Sequence, residues 1–568
     1  MSQSSDSAKE ALHDDVCVTE VKSAEVSFAQ YTKPPSFFGS LRKHRTALLW
    51  CLYILWCVLA NNYAKTAGQS VLGIPQFRKD FGNAYNGNYV LSAKWQSAYY
   101  GAPQAASVIG ALGGAWVADK LGRRASLAFL FGVRLISVTL EYIATTNEVF
   151  FAGRFLGGFS TGGTNSICMA YIGEITPLPL RGVLTAAMPI ALITGSLASA
   201  LVVNFTGDQP TRWAYRIAFV SGYGFMGIAV LVLPFMPESP WWLASHGKPD
   251  KAMKALQKIG FTDDTEAEIK MAEIKRVLAK TEEETSGATY AECFRRSNLR
   301  RTIIAAMPLT IQTFSGVTFV GSYSTYYQQL AGYSAAASFK LFIVQQVLSG
   351  AGNVVSWYLV DSVGRRRLTL SGMIILTTLL LITGGLAVSG TPGAIRGTIA
   401  LLQLFCFVYN ATIGATAYTI MTEIPTARLR AKTASLSVGL QSALFFVLGV
   451  IHDPSDLSNW TNRLALPCGA GAYEQTMWGF VLPYLFNPDK ANLGAKVTFI
   501  FGALSVLSIW YLWAYQPESA GLSYERLDEL FIGRVKARMF KEKDVRCLDR
   551  AGGLDGIHRT CDAALTKC

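Results

Sequence analysis

Charged side chains recur in this chain at fixed spacings, and the chemistry they suggest is reversible ion pairing rather than bond-making. In Asp119-x-x-Gly122-Arg123-Arg124 a carboxylate and two guanidinium groups bracket a glycine; the pattern returns 242 residues later as Asp361-x-x-Gly364-Arg365-Arg366. The glycine permits a tight turn between two helices. Glu174 and Arg181 stand seven residues apart, as do Glu423 and Arg430, and Pro237-Glu238-Ser239 is echoed by Pro517-Glu518-Ser519. Three paired signals in the same order mean two homologous halves. Charges at helix ends that pair in one conformation and part in another set the balance between two states. Asp119, Arg123, Arg124, Glu174, Arg181 and Glu238 are therefore candidate gating residues, with Asp361, Arg365, Arg366, Glu423, Arg430 and Glu518 as their counterparts. The competing reading makes the arginines topology anchors only. No nucleophile–base pair, phosphate loop or metal-ligand spacing occurs, and His13, His44, His246, His452 and His558 fall in tails and loops. No enzyme chemistry, cofactor or metal site is expected.

Such pairs need long helices to hold them at a membrane face. Of the 568 residues, 51% are hydrophobic and 16% charged, against about 25% charged in soluble domains; the mean hydropathy is +0.28. A span needs about 20 apolar residues. Spans are expected near 46–74, 91–117, 125–145, 149–170, 183–203 and 213–235, then near 302–327, 338–360, 368–389, 397–421, 433–451 and 495–515. The reading is an all-α membrane protein of about twelve transmembrane helices in two pseudo-symmetric six-helix halves, 45–236 and 302–516. Residues 1–44 read as a polar, disordered tail and not a signal peptide. A Lys/Glu-rich linker with short helices covers 237–301, and a basic tail 517–568. An even span count puts both termini on one side. The Arg-rich short loops put that side in the cytoplasm, with the plasma membrane as the expected location. The net charge of +13 gathers in those loops, so nucleic acid is not the expected partner. The Glu423–Arg430 and Pro517 signals are farther apart than their counterparts by about 30 residues. The excess falls on 452–478, which is either an enlarged external loop or a retained intron.

The motif order Asp119…Arg124, Gly153-Arg154, Glu174…Arg181, Pro237-Glu-Ser-Pro-Trp-Trp-Leu243, Asp361…Arg366, Glu423…Arg430 and Pro517-Glu-Ser resembles the sugar porter family of the major facilitator superfamily. Ile311-Gln312-Thr313-Phe314-Ser315-Gly316, Gly321-Ser-Tyr323-Ser-Thr-Tyr326 and Tyr409-Asn410 look most like the fungal maltose and α-glucoside permeases. The resemblance implies the two-bundle major facilitator fold, adds Arg154 to the gating set, and implies a solute held midway between the halves in a protein acting as a monomer. It points to Ser196, Gln312, Thr318, Tyr323, Asn410, Tyr418 and Gln441 as solute-binding positions. Polar groups inside a span are expensive unless satisfied and mark pathways by default; helix–helix hydrogen bonding is the alternative for Asn410 and Gln441.

Several positions depart from the family pattern. Ser196 replaces a glutamine, Thr313 the second of a glutamine pair, Thr318 an asparagine and Tyr418 a tryptophan. The aspartate that serves proton coupling in family members is Ala64 here, with cationic Lys65 beside it. Protons as coupling partners then fall to Glu141, unless that carboxylate pairs with an arginine such as Arg134. Asn204 and Asn459 begin sequons on expected external loops. The implied function is alternating-access transport of a sugar (an α-glucoside, hexose or polyol). A carrier of a secondary metabolite and a non-transporting sugar sensor are the alternatives.

Overall fold

A computed structural model describes residues 43–425 and 493–520, apart from short gaps at 86–87, 177, 262–263, 286–289, 296–297 and 390, with scattered positions in 429–491 and 527–540. In the first half, α1 (Arg45–Ser70) is followed by the short α2 (Pro75–Phe81) and a hairpin of β1 (Asn83–Tyr85) and β2 (Asn88–Val90). Then come α3 (Ala93–Leu121), α4 (Arg123–Ile143), α5 (Asn147–Ile175), α6 (Leu178–Thr206) and α7 (Trp213–Val232). The linker holds α8 (Pro240–Ser245), α9 (Pro249–Ile259), α10 (Asp264–Thr285) and α11 (Tyr290–Cys293). The second half holds α12 (Leu299–Phe314), α13 (Val317–Leu330), α14 (Ala335–Val363), α15 (Arg365–Ser389), α16 (Pro392–Ala411), α17 (Ile413–Glu423) and α18 (Thr498–Tyr515). Eleven of the twelve expected spans fall on these helices; the one over 433–451 lies outside the described residues. We call the side carrying α8–α11 the linker face and the opposite side the far face.

Among the described residues, seven helical stretches are apolar enough to cross a bilayer on composition alone. The helices that fall short include α3, α13 and α14. In α3 and α14 glutamine, serine or tyrosine on the face lining the cavity lowers the average hydropathy, while α13 has only 14 residues.

Two expected continuous spans are each broken. The span near 302–327 splits into α12 and α13 at Ser315-Gly316, where Gly316 has φ +79° and a side chain would meet Phe501. The span near 397–421 splits into α16 and α17 at Thr412 (φ −121°, ψ −96°). The Gln312 amide donates to the carbonyls of Ile413 (3.0 Å) and Gly414 (3.4 Å), groups just past the second break. Gln312, four residues before the first break, thus ties the end of α12 to the start of α17, just past the second.

Asn204 was expected on a loop and instead lies in the last turn of α6, half-buried, with its Oδ1 buried and unbonded. The helix runs on because Thr206 donates to Val202 (3.0 Å) and Ala214 (3.1 Å), tying the turn to α7. Asn459 lies outside the described residues.

Small residues bring α3 and α5 into backbone contact. A Cβ at Gly162 would sit 1.7 Å from the Ser107 carbonyl oxygen, and one at Gly158 would sit 2.1 Å from that of Pro103. Close approach through small residues is how membrane helices gain packing without a hydrophobic drive between them. Gly162→Ala should therefore lower stability by about 1–3 kcal/mol through overpacking. Gly132→Ala, with nothing within 4 Å, should not. Thermal melting of both variants in detergent checks the contrast; equal melting temperatures would refute it.

Candidate functional site

A cavity of about 310 Å³ lies between the halves, at the lower end of the roughly 300–1,000 Å³ usual for small-molecule sites. From the first half it takes Asn62, Lys65 and Gln69 on α1, Tyr100 and Gln104 on α3, and Ser196 on α6. From the second half come Thr318, Tyr323 and Tyr326 on α13, Gln345 and Gln346 on α14, and Tyr409 and Asn410 on α16. Amides and phenols from both halves thus converge on one space, beside both helix breaks.

Of the sequence-expected solute positions, Ser196, Thr318, Tyr323 and Asn410 line this cavity. The Ser196 hydroxyl sits between Asn62 Nδ2 (2.9 Å) and Thr66 Oγ1 (3.1 Å). Asn410 donates to the Cys406 carbonyl one turn back, at 2.9 Å. The Tyr323 ring packs on Tyr100 across the halves at 4.3 Å. Gln312 bonds the α17 carbonyls instead of lining the cavity, and Tyr418 is 58% exposed and away from it. Gln441 lies outside the described residues. The sequence reading passed over Asn62, Gln69, Gln104, Gln345 and Gln346; each is an amide in an apolar helix, which was the available signal.

The far end of the cavity is closed by contacts between the halves. Arg78 Nη2 donates to Gln329 Oε1 at 2.8 Å. Gly73 faces Gln329, Thr325 and Phe339, and Gly207 abuts Phe339.

Beside α1 lies a buried charge cluster. Glu141 Oε1 is 3.8 Å from Arg154 Nη1, both side chains being almost fully buried. The expected partner, Arg134, points elsewhere: its Nη2 donates to the Asn61 carbonyl (2.5 Å) and to Thr161 Oγ1 (3.0 Å). Arg154 Nη1 donates to the carbonyl of Lys65 at 3.1 Å. Arg154 therefore sits deep in the bundle, away from the linker-face charges with which it was grouped. Ala64 is buried in the core.

At the linker face the repeated motifs form repeated structures. Arg123 Nη2 meets Glu174 Oε1 at 2.7 Å, and Arg365 Nη2 meets Glu423 Oε1 at 3.1 Å. Glu238 accepts from the backbone N–H groups of Arg123 (2.8 Å) and Arg124 (3.2 Å), so it caps the start of α4. Glu518 does the same for α15 through Arg365 (2.9 Å) and Arg366 (3.3 Å). Gly122 (φ +95°) and Gly364 (φ +91°) admit these carboxylates; a Cβ at either would lie under 3 Å from the capping oxygen. Asp119 is exposed and reaches only Arg123, at 3.3 Å, while its carbonyl accepts from Trp242 Nε1 at 2.8 Å, which docks the linker. Arg124 contributes its backbone N–H, and Arg366 donates to the Trp513 carbonyl at 2.9 Å. Arg430, and the side chains of Arg181 and Asp361, lie outside the described residues.

Two helical bundles related by a repeat, with a polar cavity between them and ion pairs at one face, define a multi-pass membrane carrier of the major facilitator fold. The chain belongs to the family described as sugar (and other) transporter, whose model matches residues 50–454. It is 26% identical over 515 residues to the maltose permease MAL31 of Saccharomyces cerevisiae, covering 89% of this chain and 79% of that one. It is 26% identical over 546 residues to the MFS transporter fmqE of Aspergillus fumigatus, covering 94% and 96%. The inward-open structure of the xylose transporter XylE from E. coli superposes with a TM-score of 0.64 at 18% identity, over 85% of this chain and 99% of that one.

A carboxylate at a helix N-terminus that accepts two backbone N–H bonds is worth about 1–2 kcal/mol. Glu238→Gln and Glu518→Gln should each lose about that much, and by similar amounts, because the two sites repeat. Melting curves of the two variants test the equivalence; a loss confined to one half would contradict it.

Proposed function

We propose that this protein moves a sugar across the plasma membrane by alternating access, with the linker face in the cytoplasm. The observation that carries the reading is the cavity, to which both halves contribute amides and phenols beside two helix breaks. Transporter sites form near the midplane, at the repeat interface, from such discontinuous helices. Amides match sugar hydroxyls and tyrosine rings match sugar faces. The permease relatives and the basic loops of the linker face support the same reading. Rocking of the halves would open the far-face contacts at Arg78 and Gly73 while the linker-face pairs hold each bundle rigid. In this proposal Arg123, Glu174, Arg365 and Glu423 brace each bundle as it rocks, instead of making and breaking pairs, and the working unit is a monomer.

Uptake of radiolabelled maltose, glucose and polyols by cells expressing the protein tests the reading, and absence of uptake by well-expressed protein defeats it. A protonophore separates coupled from facilitated movement. Where movement is coupled, Glu141 is the proton carrier, because it is the one fully buried carboxylate among the described residues, and neither of its oxygens makes a hydrogen bond there. Glu141→Gln should then equilibrate the solute without concentrating it. Accumulation against a gradient by that variant would rule Glu141 out.

A further inference from the structure

The cavity holds one formal charge, and it is positive. Lys65 is the only ionised side chain among its described lining residues. The Lys65 ammonium reaches a single neutral acceptor, Gln104 Oε1, at 3.5 Å. Its neighbours increase the positive charge: Arg154 bonds the Lys65 carbonyl at 3.1 Å, and Arg134 bonds the Asn61 carbonyl one turn before it. Three cations thus surround one turn of α1 and face one interior carboxylate, Glu141, which stands against Arg154. The segment 433–451, outside the described residues, contains no Asp or Glu that could balance them. An unpaired charge in a bilayer-embedded site is costly and marks a ligand position.

We propose that the solute carries a carboxylate, as in a uronate or other polyhydroxylated acid, and that Lys65 is the group that meets it. The inference rests on the carrier reading above and narrows its substrate class. Hydroxyl recognition falls to the amides of Gln69 on α1 and Gln346 on α14. Neither makes a side-chain hydrogen bond among the described residues, and both line the cavity. An anion entering beside Lys65 offsets the excess positive charge; a neutral sugar leaves it unmatched. A site built around a charged partner rejects the analogue that lacks it far more strongly than an apolar pocket rejects a missing methylene.

The test uses the full-length protein in liposomes, at equal pH and zero potential on both sides, with labelled D-glucuronate and labelled D-glucose. The wild type should take up glucuronate at least about tenfold more efficiently than glucose. Lys65→Met should lower that ratio by at least about tenfold, and Lys65→Arg, which keeps the charge, should hold it within about threefold. Glucose uptake without preference for glucuronate, or a ratio unmoved by Lys65→Met, overturns the inference and leaves the sugar-carrier reading intact. Competition by succinate as strong as by unlabelled glucuronate overturns the polyhydroxylated class. Uptake of neither sugar by monodisperse, reconstituted protein overturns the inference, and refusal of maltose and polyols as well overturns the carrier reading.

Discussion

An ammonium, two guanidinium groups and one carboxylate must be held in a layer that offers no bulk water, and much of the molecule follows from that requirement. Each charge needs a partner, since an isolated ion in hydrocarbon costs several kcal/mol. Arg134 and Arg154 meet the requirement by donating to carbonyls one turn apart on α1. Gly68 and Gly157 leave them room, because a Cβ at either would lie within 2.5 Å of a guanidinium nitrogen. The polar faces of α3, α13 and α14 turn inward for the same reason, and the cavity lies where they meet. Gln312, beside the break at Gly316, bonds the carbonyls that open α17 just past the break at Thr412, so the two breaks are tied together.

At the linker face the solution is different and occurs twice. A glutamate from the end of each half caps the helix that begins after the Gly-Arg-Arg turn, and an arginine of that turn pairs with the glutamate ending a neighbouring helix. These bonds lie within each bundle. They make each half a stiff body, so relative motion is left to the interface, where α6 packs against α14 and the far-face contacts close the cavity.

The repeated motifs were legible in the sequence because duplication displays a function twice, and the helices carrying them followed from hydropathy. What was not legible was direction. Arg134 lies seven residues before Glu141, on the same face of α4, so sequence spacing favoured that pair. The neighbouring α5 brings Arg154 closer, and Arg134 turns to α1 instead. Gln312 looked like a cavity residue because it is polar in an apolar span, a signal equally produced by a side chain that ties one helix to another. Lys65 stands beside the position of the missing aspartate; its importance depends on the absence of a carboxylate facing it among the described residues, which only the packed bundle shows. Helix breaks at a serine-glycine and at a threonine leave little trace in hydropathy, since neither residue interrupts an apolar run for more than a position or two.

The central claim is that one cavity between two rocking halves carries the solute, and the far-face contact offers the most direct test. Arg78 and Gln329 touch across the halves at 2.8 Å. Cysteines placed at both positions can be bridged by a bifunctional methanethiosulfonate reagent, which spans the length of the two replaced side chains, with each single-cysteine variant as control. Solute counterflow in liposomes should stop on cross-linking of the double variant, return on reduction, and be unaffected in the single variants. Undiminished counterflow through the cross-linked protein would contradict the account.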